Sequence, residues 1–367
     1  MKILQVITSL RTGGAEKLIV DMVPLYQQQG HQVDVLLFDG TETPFKKQLR
    51  DKGVTIYQLG EGSSVYNPLY IFKLIPFLRK YDIVHTHNTA CQYYAALAKY
   101  LSACHGRLVT TEHSTNNRRR DNWIFKYIDR FMYSQYDILV AISDKAGSLL
   151  SDYLSGKKVE VVLNGVDVSS FQQALPINRE SIGVKGQKVL ITMIARFAEA
   201  KDQETLIRAM VFLPTDYTLL LVGGGDLQKK KQCELLVNEL EIEDKVVLLE
   251  ARTDISNILK ASDIIVQSSH WEGFGLAAVE GMAAGKPVIA SDVPGLAQVV
   301  DGFGILFPHG DAKALADIIL HLHEDSVYYQ QITYRCLHRA AEFDIHKTVD
   351  QYLQLYQSLL DNRYIKK

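Results

Sequence analysis

Ser268-Ser269-His270-Trp271-Glu272-Gly273-Phe274-Gly275-Leu276-Ala277-Ala278-Val279-Glu280 follows directly on the apolar run Asp263-Ile264-Ile265-Val266. The run reads as a buried strand, Gly273-Phe274-Gly275 as a turn, and Leu276 onward as a helix. A helix that opens from a glycine turn at a strand's end presents free N–H groups and its positive dipole end to a ligand, which makes an anion site. Glu272 and Glu280 bracket that site with seven residues between them. Carboxylates so placed would repel a phosphate, so they serve better as acceptors for hydroxyl groups. Hydroxyls beside phosphates describe a sugar nucleotide.

Outward from this stretch, short apolar runs alternate with helix-length amphipathic segments. Strands are expected at 3–7, 32–38, 54–57, 83–85, 108–111, 138–141 and 159–162, and again at 189–194, 218–222, 246–248, 264–267, 288–290 and 305–307. Helices are expected between them, among others at 15–29, 68–80, 89–102, 122–134, 144–154, 203–212, 227–240, 254–260, 276–284 and 312–324. Apolar strands separated by helices imply parallel sheets covered on both faces. The series runs twice, so the fold class is α/β with two doubly wound, Rossmann-like domains. Their expected extents are 1–170 and 171–344, joined by a polar, Gly- and Pro-bearing linker at 168–186. A last helix, about 345–367, is expected to pack back on the first domain. A chain of 367 residues suits two domains of this size better than a single core.

Composition removes several classes of function. The chain is 47% hydrophobic and 22% charged, an ordinary globular balance. No apolar run reaches the roughly 18 residues that span a bilayer. The start, Met1-Lys2-Ile3-Leu4-Gln5-Val6-Ile7, reads as a strand rather than a signal peptide, and the cytoplasm is the expected location. Cys91, Cys104, Cys233 and Cys336 lie far apart, against a zinc site or a disulfide framework. His85 and His87 share a strand face, but no third ligand accompanies them in sequence, and no metal is expected. Residues 1–170 hold 20 basic against 16 acidic side chains, and residues 171–367 hold 20 against 26. No basic stripe with interleaved aromatics points to nucleic acid. The modestly basic first half suits peripheral contact with an anionic membrane surface, the inner membrane's cytoplasmic face. Asn116–Arg120, with Lys126 and Arg130 near Trp123, Ile124 and Phe125, is the cluster that would make it, or would meet a lipid phosphate.

Further motifs fall at strand ends. Gly13-Gly14, after the first strand, allows close backbone approach to a ligand; alone it would be an ordinary strand-to-helix turn. It fits neither G-x-G-x-x-G nor a Walker loop. Arg196 and Lys201 follow the first strand of the second half, where two cations can neutralise a diphosphate. Gly223-Gly224-Gly225-Asp226 ends the next strand, and Glu112-His113-Ser114 ends a strand of the first half.

Together these residues resemble the retaining glycosyltransferases of family 4, with the GT-B fold of two Rossmann-like domains facing across a deep cleft. The motifs that carry the resemblance are Gly13-Gly14-Ala15-Glu16, Thr111-Glu112-His113, Ala141-Ile142-Ser143, Asn164-Gly165-Val166-Asp167, Arg196 with Lys201, Gly223-Gly224-Gly225-Asp226, Glu272-Gly273-Phe274-Gly275-Leu276 with Glu280, and Gly285-Lys286-Pro287-Val288-Ile289-Ala290. The resemblance implies a hexosyl transfer from a UDP-, GDP- or ADP-sugar to a glycan or lipid-linked acceptor, in cell-surface polysaccharide biosynthesis. It implies no metal and no cofactor beyond the donor, in keeping with the lack of any Asp-x-Asp. Its implied catalytic residues are His113, Arg196, Lys201 and Glu272. Its implied donor-binding residues are Gly13, Gly14, Arg196, Lys201, Gly224, Arg252, Gly273, Phe274, Gly275, Leu276 and Glu280. Arg196 and Lys201 would hold the diphosphate, Glu280 the ribose, and Glu272 and His113 the sugar, with the base near Glu250-Ala251-Arg252. A nucleotide-sugar epimerase or a glycan phosphorylase of the same architecture is the alternative. A non-catalytic sugar-nucleotide binder would lack some of these residues, and a nicotinamide oxidoreductase would carry G-x-G-x-x-G.

Overall fold

Runs of β-branched and aliphatic residues with buried neighbours on both sides can satisfy their backbone only in sheets covered on both faces. The computed structural model, which describes residues 1–11, 13–62, 64–104, 106–113, 122–186 and 188–361, contains two such sheets, both wholly parallel. They belong to two compact units, Met1–Gly165 with the C-terminal helix, and Val166–Asp344.

In the first unit, β1 (Lys2–Ile7), β2 (Gln32–Asp39), β3 (Ile56–Gly60), β4 (Ile83–Thr86), β5 (Arg107–Glu112), β6 (Ile138–Ala141) and β7 (Glu160–Val161) order as β3-β2-β1-β4-β5-β6-β7. The two-residue period sends Ile3 and Ile7 to one face and Leu4 and Val6 to the other. On the first face lie α1 (Gly14–Gln28) and α15 (Ile345–Leu360), whose Ile345, Val349, Tyr352, Tyr356 and Leu359 form a helical-period stripe in the core. Burying each such aliphatic side chain contributes about 1.5–3 kcal/mol, an upper bound against a compact unfolded chain. On the second face lie α3 (Leu69–Lys80) and α4 (Thr89–Ser102), around Leu74, Leu78, Cys91 and Ala95.

The α15 face is not wholly apolar. Its middle layer is Gln5, His85, His87 and Thr111, all buried. Each finds a partner, as buried polar groups must: His85 bonds the Tyr356 hydroxyl at 2.6 Å and Thr111 at 2.7 Å, and Thr111 meets the Tyr352 hydroxyl at 2.9 Å. Two tyrosines thus tie the last helix to β4 and β5.

In the second unit, β8 (Val189–Ile194), β9 (Tyr217–Val222), β10 (Val246–Leu249), β11 (Ile264–Gln267), β12 (Val288–Ser291) and β13 (Ile305–Phe307) order as β10-β9-β8-β11-β12-β13. The chain lays down β8, β9 and β10 in one direction, then returns across β8 to place β11 on its other side. The crevice at that reversal, beyond the carboxyl ends of β8 and β11, is where ligands bind in such sheets. In the first unit the same reversal falls between β1 and β4.

Several expectations shift. The division falls at Gly165/Val166 rather than 170/171, because Val166 pairs with Asp344 and its N–H donates to Phe343 O at 2.9 Å. Gly165 is required there: a Cβ would lie 2.8 Å from Ile345 Cα, where two chain crossings run side by side. The segment 168–186 is no loose linker. It holds α7 (Val168–Gln173) and a turn at Arg179–Ile182, where Arg179 forks onto both Asp263 oxygens at 2.9 Å and onto the carbonyls of Ala261 and Lys188 at 2.8 Å. The strand expected at 54–57 lies at Ile56–Gly60. Helices α2 (Pro44–Asp51), α12 (Pro294–Val300) and α14 (Ser326–Ala340) were not expected. Asn116–Arg120 and the end of the expected last helix lie outside the described residues.

Burial drives the pKa of His85 and His87 well below the ordinary 6.5, and that of His113 down to about 4. Native histidines held neutral stabilise fully above pH 6.5 and lose that contribution as pH falls below it, because the unfolded chain then takes up the protons. Stability should therefore fall steadily between pH 6.5 and 4.5, by up to about 1.4 kcal/mol per pH unit for each such histidine, and the thermal midpoint should fall with it. Replacing His85 by Asn should flatten that slope in a melt series; an unchanged slope would contradict the assignment.

Candidate functional site

Two loops leave the reversal point of the second sheet, 195–202 after β8 and 268–275 after β11. Neither loop could hold itself by local turns alone, and cross-links between them fix both. The His270 N–H donates to Ala200 O at 2.9 Å, and Ser268 Oγ donates to Asp202 O at 2.7 Å. Asp202 sits in the left-handed region at φ 48 and caps α8 (Gln203–Ala209) by accepting from the Thr205 N–H and hydroxyl. That cap turns Lys201 toward the neighbouring loop, where its ammonium pairs with the Glu272 carboxylate. Ser269 donates to the same carboxylate oxygen at 3.2 Å. The structure thus joins two residues that were assigned to different parts of a donor, and Lys201 keeps further N–H donors for an anion.

Below the pair, Gly275 is the N-cap of α11 (Leu276–Ala283) at φ 92, with no side-chain cap on the helix. A Cβ on Gly275 would sit 2.7 Å from Leu296, so both backbone and packing demand glycine. Phe274 points inward, 2% exposed and edge-on to Phe343 at 5.3 Å. It is an anchor for the turn, and only its backbone can serve a ligand. Glu280 lies one turn into α11, partly exposed. The start of α11 therefore carries no side-chain cap, and the Lys201–Glu272 pair lies on the loop that leads into it.

Arg196 is exposed on the other loop, whose path is set by the glycines after β9. Phe197 N–H donates to Gly224 O at 2.7 Å and Asp226 N–H to Phe197 O at 2.9 Å. A Cβ on Gly223 would fall 2.0 Å from Ala195 O, and one on Gly225, at φ 125, 2.5 Å from Phe197 O. At Gly224, the position expected to serve the donor, it would make only an ordinary 3.5 Å contact with Ala251. The steric need for glycine therefore sits on either side of Gly224. Arg252 is already engaged: its guanidinium forks onto Asp254 at 2.8 and 2.6 Å, which braces the loop after β10.

Sequence reading missed three supports. Ser291 Oγ donates to Ser269 O at 2.6 Å, Gly295 lies against the Glu272 backbone where a Cβ would come within 2.2 Å of its carbonyl oxygen, and His309 meets His270 at 2.7 Å. Among the described residues, Asp202, His270 and His309 bring three metal-capable atoms within 4.8 Å of one another. Thr205 donates to the Asp202 carboxylate, and the two imidazoles meet nitrogen to nitrogen with their rings nearly perpendicular.

In the first unit, Gly13 caps α1 in an extended conformation, with the Glu16 carboxylate folded over it and Gly14 opening the helix. Thr8 at the end of β1 donates from its N–H and hydroxyl to Asn88 at 3.0 and 3.2 Å, closing the β1/β4 reversal. His113 follows β5, with Nε2 3.1 Å from His87 Nδ1, and His87 Nε2 is 2.6 Å from Gln5 Oε1. With the Gln5 carbonyl oxygen accepting from His87 Nε2–H, His87 Nδ1 must accept from His113 Nε2–H. Neutral His113 then offers its Nδ1 lone pair, an acceptor for a hydroxyl.

The family description "Glycosyltransferase Family 4" matches residues 12–170, and "Glycosyl transferases group 1" matches residues 176–338. The chain belongs to the group 1, family 4 glycosyltransferases. This glycosyltransferase is 27% identical over 314 residues to the UDP-Gal:alpha-D-GlcNAc-diphosphoundecaprenol alpha-1,3-galactosyltransferase of Escherichia coli, covering 80% of this chain and 79% of that one. It is 25% identical over 359 residues to the phosphatidyl-myo-inositol mannosyltransferase of Mycolicibacterium smegmatis, covering 95% and 90%. The structure of Anabaena HepE with UDP and glucose superposes with a TM-score of 0.86 at 22% identity, covering 98% of this chain and 100% of that one, a likeness of fold. Two parallel sheets with this arrangement are the GT-B glycosyltransferase fold.

Gly223→Ala and Gly225→Ala should each lower stability by about 1–3 kcal/mol in urea titrations, from the strained conformation or the backbone overlap. Gly224→Ala should stay within about 0.5 kcal/mol. Equal losses at all three positions would contradict the loop geometry.

Proposed function

We propose that this glycosyltransferase moves a hexosyl unit, with retention of configuration, from a nucleoside-diphosphate sugar to a glycan or lipid-linked acceptor in cell-surface polysaccharide assembly. The observation that carries the proposal is the cluster at the reversal point of the second sheet: Arg196, Lys201 paired with Glu272, and the uncapped helix start at Gly275. An anion held there meets cations and N–H dipoles, while the adjoining carboxylates can accept from a ligand's hydroxyls. Relatives whose names specify a UDP-galactose donor and a diphosphoundecaprenol-linked or phosphatidylinositol acceptor support the substrate class.

In this reading the acceptor hydroxyl attacks the anomeric carbon on the face from which the diphosphate departs. The bond to the leaving oxygen breaks, and that oxygen takes the acceptor's proton, so no separate protein base is required. Arg196 and Lys201 stabilise the charge that develops on the departing diphosphate, the largest electrostatic demand of the reaction. Glu272 orients the sugar through its hydroxyls while holding Lys201 in place. Glu280 accepts from the ribose, and neutral His113 accepts from a sugar hydroxyl. We assign no metal ion to the diphosphate, because the two protein cations and the helix start carry that role.

Arg196→Ala and Lys201→Ala should each lower turnover by about 10²–10³ with melting behaviour retained. Near-normal rates in both would overturn the proposal. Thermal shifts with UDP, GDP and ADP would assign the base, a ligand at 100 times its Kd adding about 2.7 kcal/mol. Incubated with donor alone, the enzyme should release free sugar slowly, first as the donor's own anomer by NMR. The opposite anomer would contradict retention, and an isomerised donor would indicate an epimerase.

A further inference from the structure

Three strand ends of the second unit meet at a group of side chains that the proposed transfer does not use. Asp202 ends the loop after β8, His270 lies on the loop after β11, and His309 stands in the turn between β13 and α13 (Ala312–Glu324). Each backbone is held in place by its own contacts. Asp202 is fixed as the cap of α8, with its carbonyl accepting from Ser268. The His270 N–H donates to Ala200 O at 2.9 Å, and the carbonyl of Ser269 just before it accepts from Ser291 at 2.6 Å. In the turn, the Asp311 N–H donates to Pro308 O at 3.0 Å, and the Asp311 carboxylate caps α13 by accepting from the Ala314 N–H at 2.9 Å. The side chains converge from these supports. His270 Nδ1 is 2.7 Å from His309 Nε2 and 3.6 Å from Asp202 Oδ2, and the three ligand atoms lie within 4.8 Å of one another.

We propose that Asp202, His270 and His309 bind one divalent transition ion of the Zn²⁺ class. Bonds from zinc to imidazole nitrogen and carboxylate oxygen are about 2.0–2.2 Å long, so ligand atoms around one ion sit about 3.0–3.5 Å apart. The two measured separations lie on either side of that spacing, each within a few tenths of an ångström. The charge balance points the same way. The Asp202 side chain is 5% exposed, its neighbour Lys201 is committed to Glu272, and among the described residues His270 is its one ion-pair partner. A hydrogen bond between two neutral imidazoles uses a single proton and leaves that buried charge with neutral donors only, the Thr205 N–H and hydroxyl. A cation among the three groups matches the carboxylate and takes a lone pair from each imidazole. Thr205 then orients the carboxylate from behind, as the outer partner of a metal ligand does. Two nitrogens and one oxygen select a borderline ion over Mg²⁺ or Ca²⁺, which prefer oxygen ligands. Burial lessens from Asp202 through half-exposed His270 to exposed His309, so an ion enters from solvent and water completes its coordination. Bound there, the ion clasps the turn after β13 to the two loops that carry Lys201 and Glu272. It takes no part in the transfer proposed above, which assigns no metal to the diphosphate.

The test is calorimetric titration of the untagged, chelator-stripped full chain with zinc chloride, beside melting curves of the stripped and loaded protein. The expected result is one Zn²⁺ per chain at a site that excess Mg²⁺ does not displace, with the melting midpoint raised by the ion. His270→Gln and His309→Gln should each weaken Zn²⁺ at least about tenfold. Asp202→Asn should do the same, while keeping a capping residue that tolerates the left-handed backbone. Stripped His309→Gln should melt as the stripped wild type does, which separates a lost ligand from a lost fold. Stripped wild type should still bind a nucleoside diphosphate, so a failure here is distinguishable from a failure of the transfer proposal. No binding of Zn²⁺, binding unchanged in the two histidine variants, or displacement by Mg²⁺ would overturn the proposal.

Discussion

The parallel pairing of β11 with β8 is the constraint from which the donor site follows. It brings two loops far apart in sequence out of one sheet edge, side by side. Everything charged at the site then depends on how closely those loops approach. Ser268 to Asp202, His270 to Ala200 and Lys201 to Glu272 are consequences of that approach, and the glycines at 223, 225, 275 and 295 are its conditions. An ion pair on an open surface would hold little. Here the loops hold the pair in place, and its worth lies in fixing a cation at the reversal point of the sheet.

The first unit solves a different problem. The α15 face of its sheet carries a layer of histidine, glutamine, threonine and tyrosine in place of aliphatic packing. Such a layer is costly unless every group is satisfied. Two tyrosine hydroxyls from the last helix engage His85 and Thr111 in it, and its outer member, His113, emerges at a strand end with its protonation fixed from behind. Stability and chemistry are joined in this layer, because the burial that keeps the histidines neutral also leaves His113 an acceptor.

Much of this was legible in the chain. Apolar strands between amphipathic helices have a periodic signature, so the strand sequence and the doubling of the motif could be read directly. Strand-end motifs such as Glu272-Gly273-Phe274-Gly275 stand out because glycine beside charge after an apolar run is informative by itself. Links between side chain and distant backbone have no such signature. Nothing in Ala290-Ser291 announces a bond to Ser269, nor in Arg252 that Asp254 occupies it. Gly224 was singled out for its neighbours' necessity. Helix α14 was missed because its buried stripe is only Ile332, Cys336 and Ala340, too small and sparse to register. Segment 168–186 read as a linker by composition, although Arg179 clamps it by geometry that only the fold supplies.

Lys201, held by Glu272, is assigned to the outer phosphate of the donor. Calorimetric titration of wild type and Lys201→Met with the preferred nucleoside diphosphate and the matching monophosphate tests it most directly. The substitution should weaken the diphosphate about 10- to 100-fold, the worth of a charge-assisted contact of about 1.5–3 kcal/mol, and leave the monophosphate within about twofold. Equal weakening of both ligands, or of neither, would contradict it.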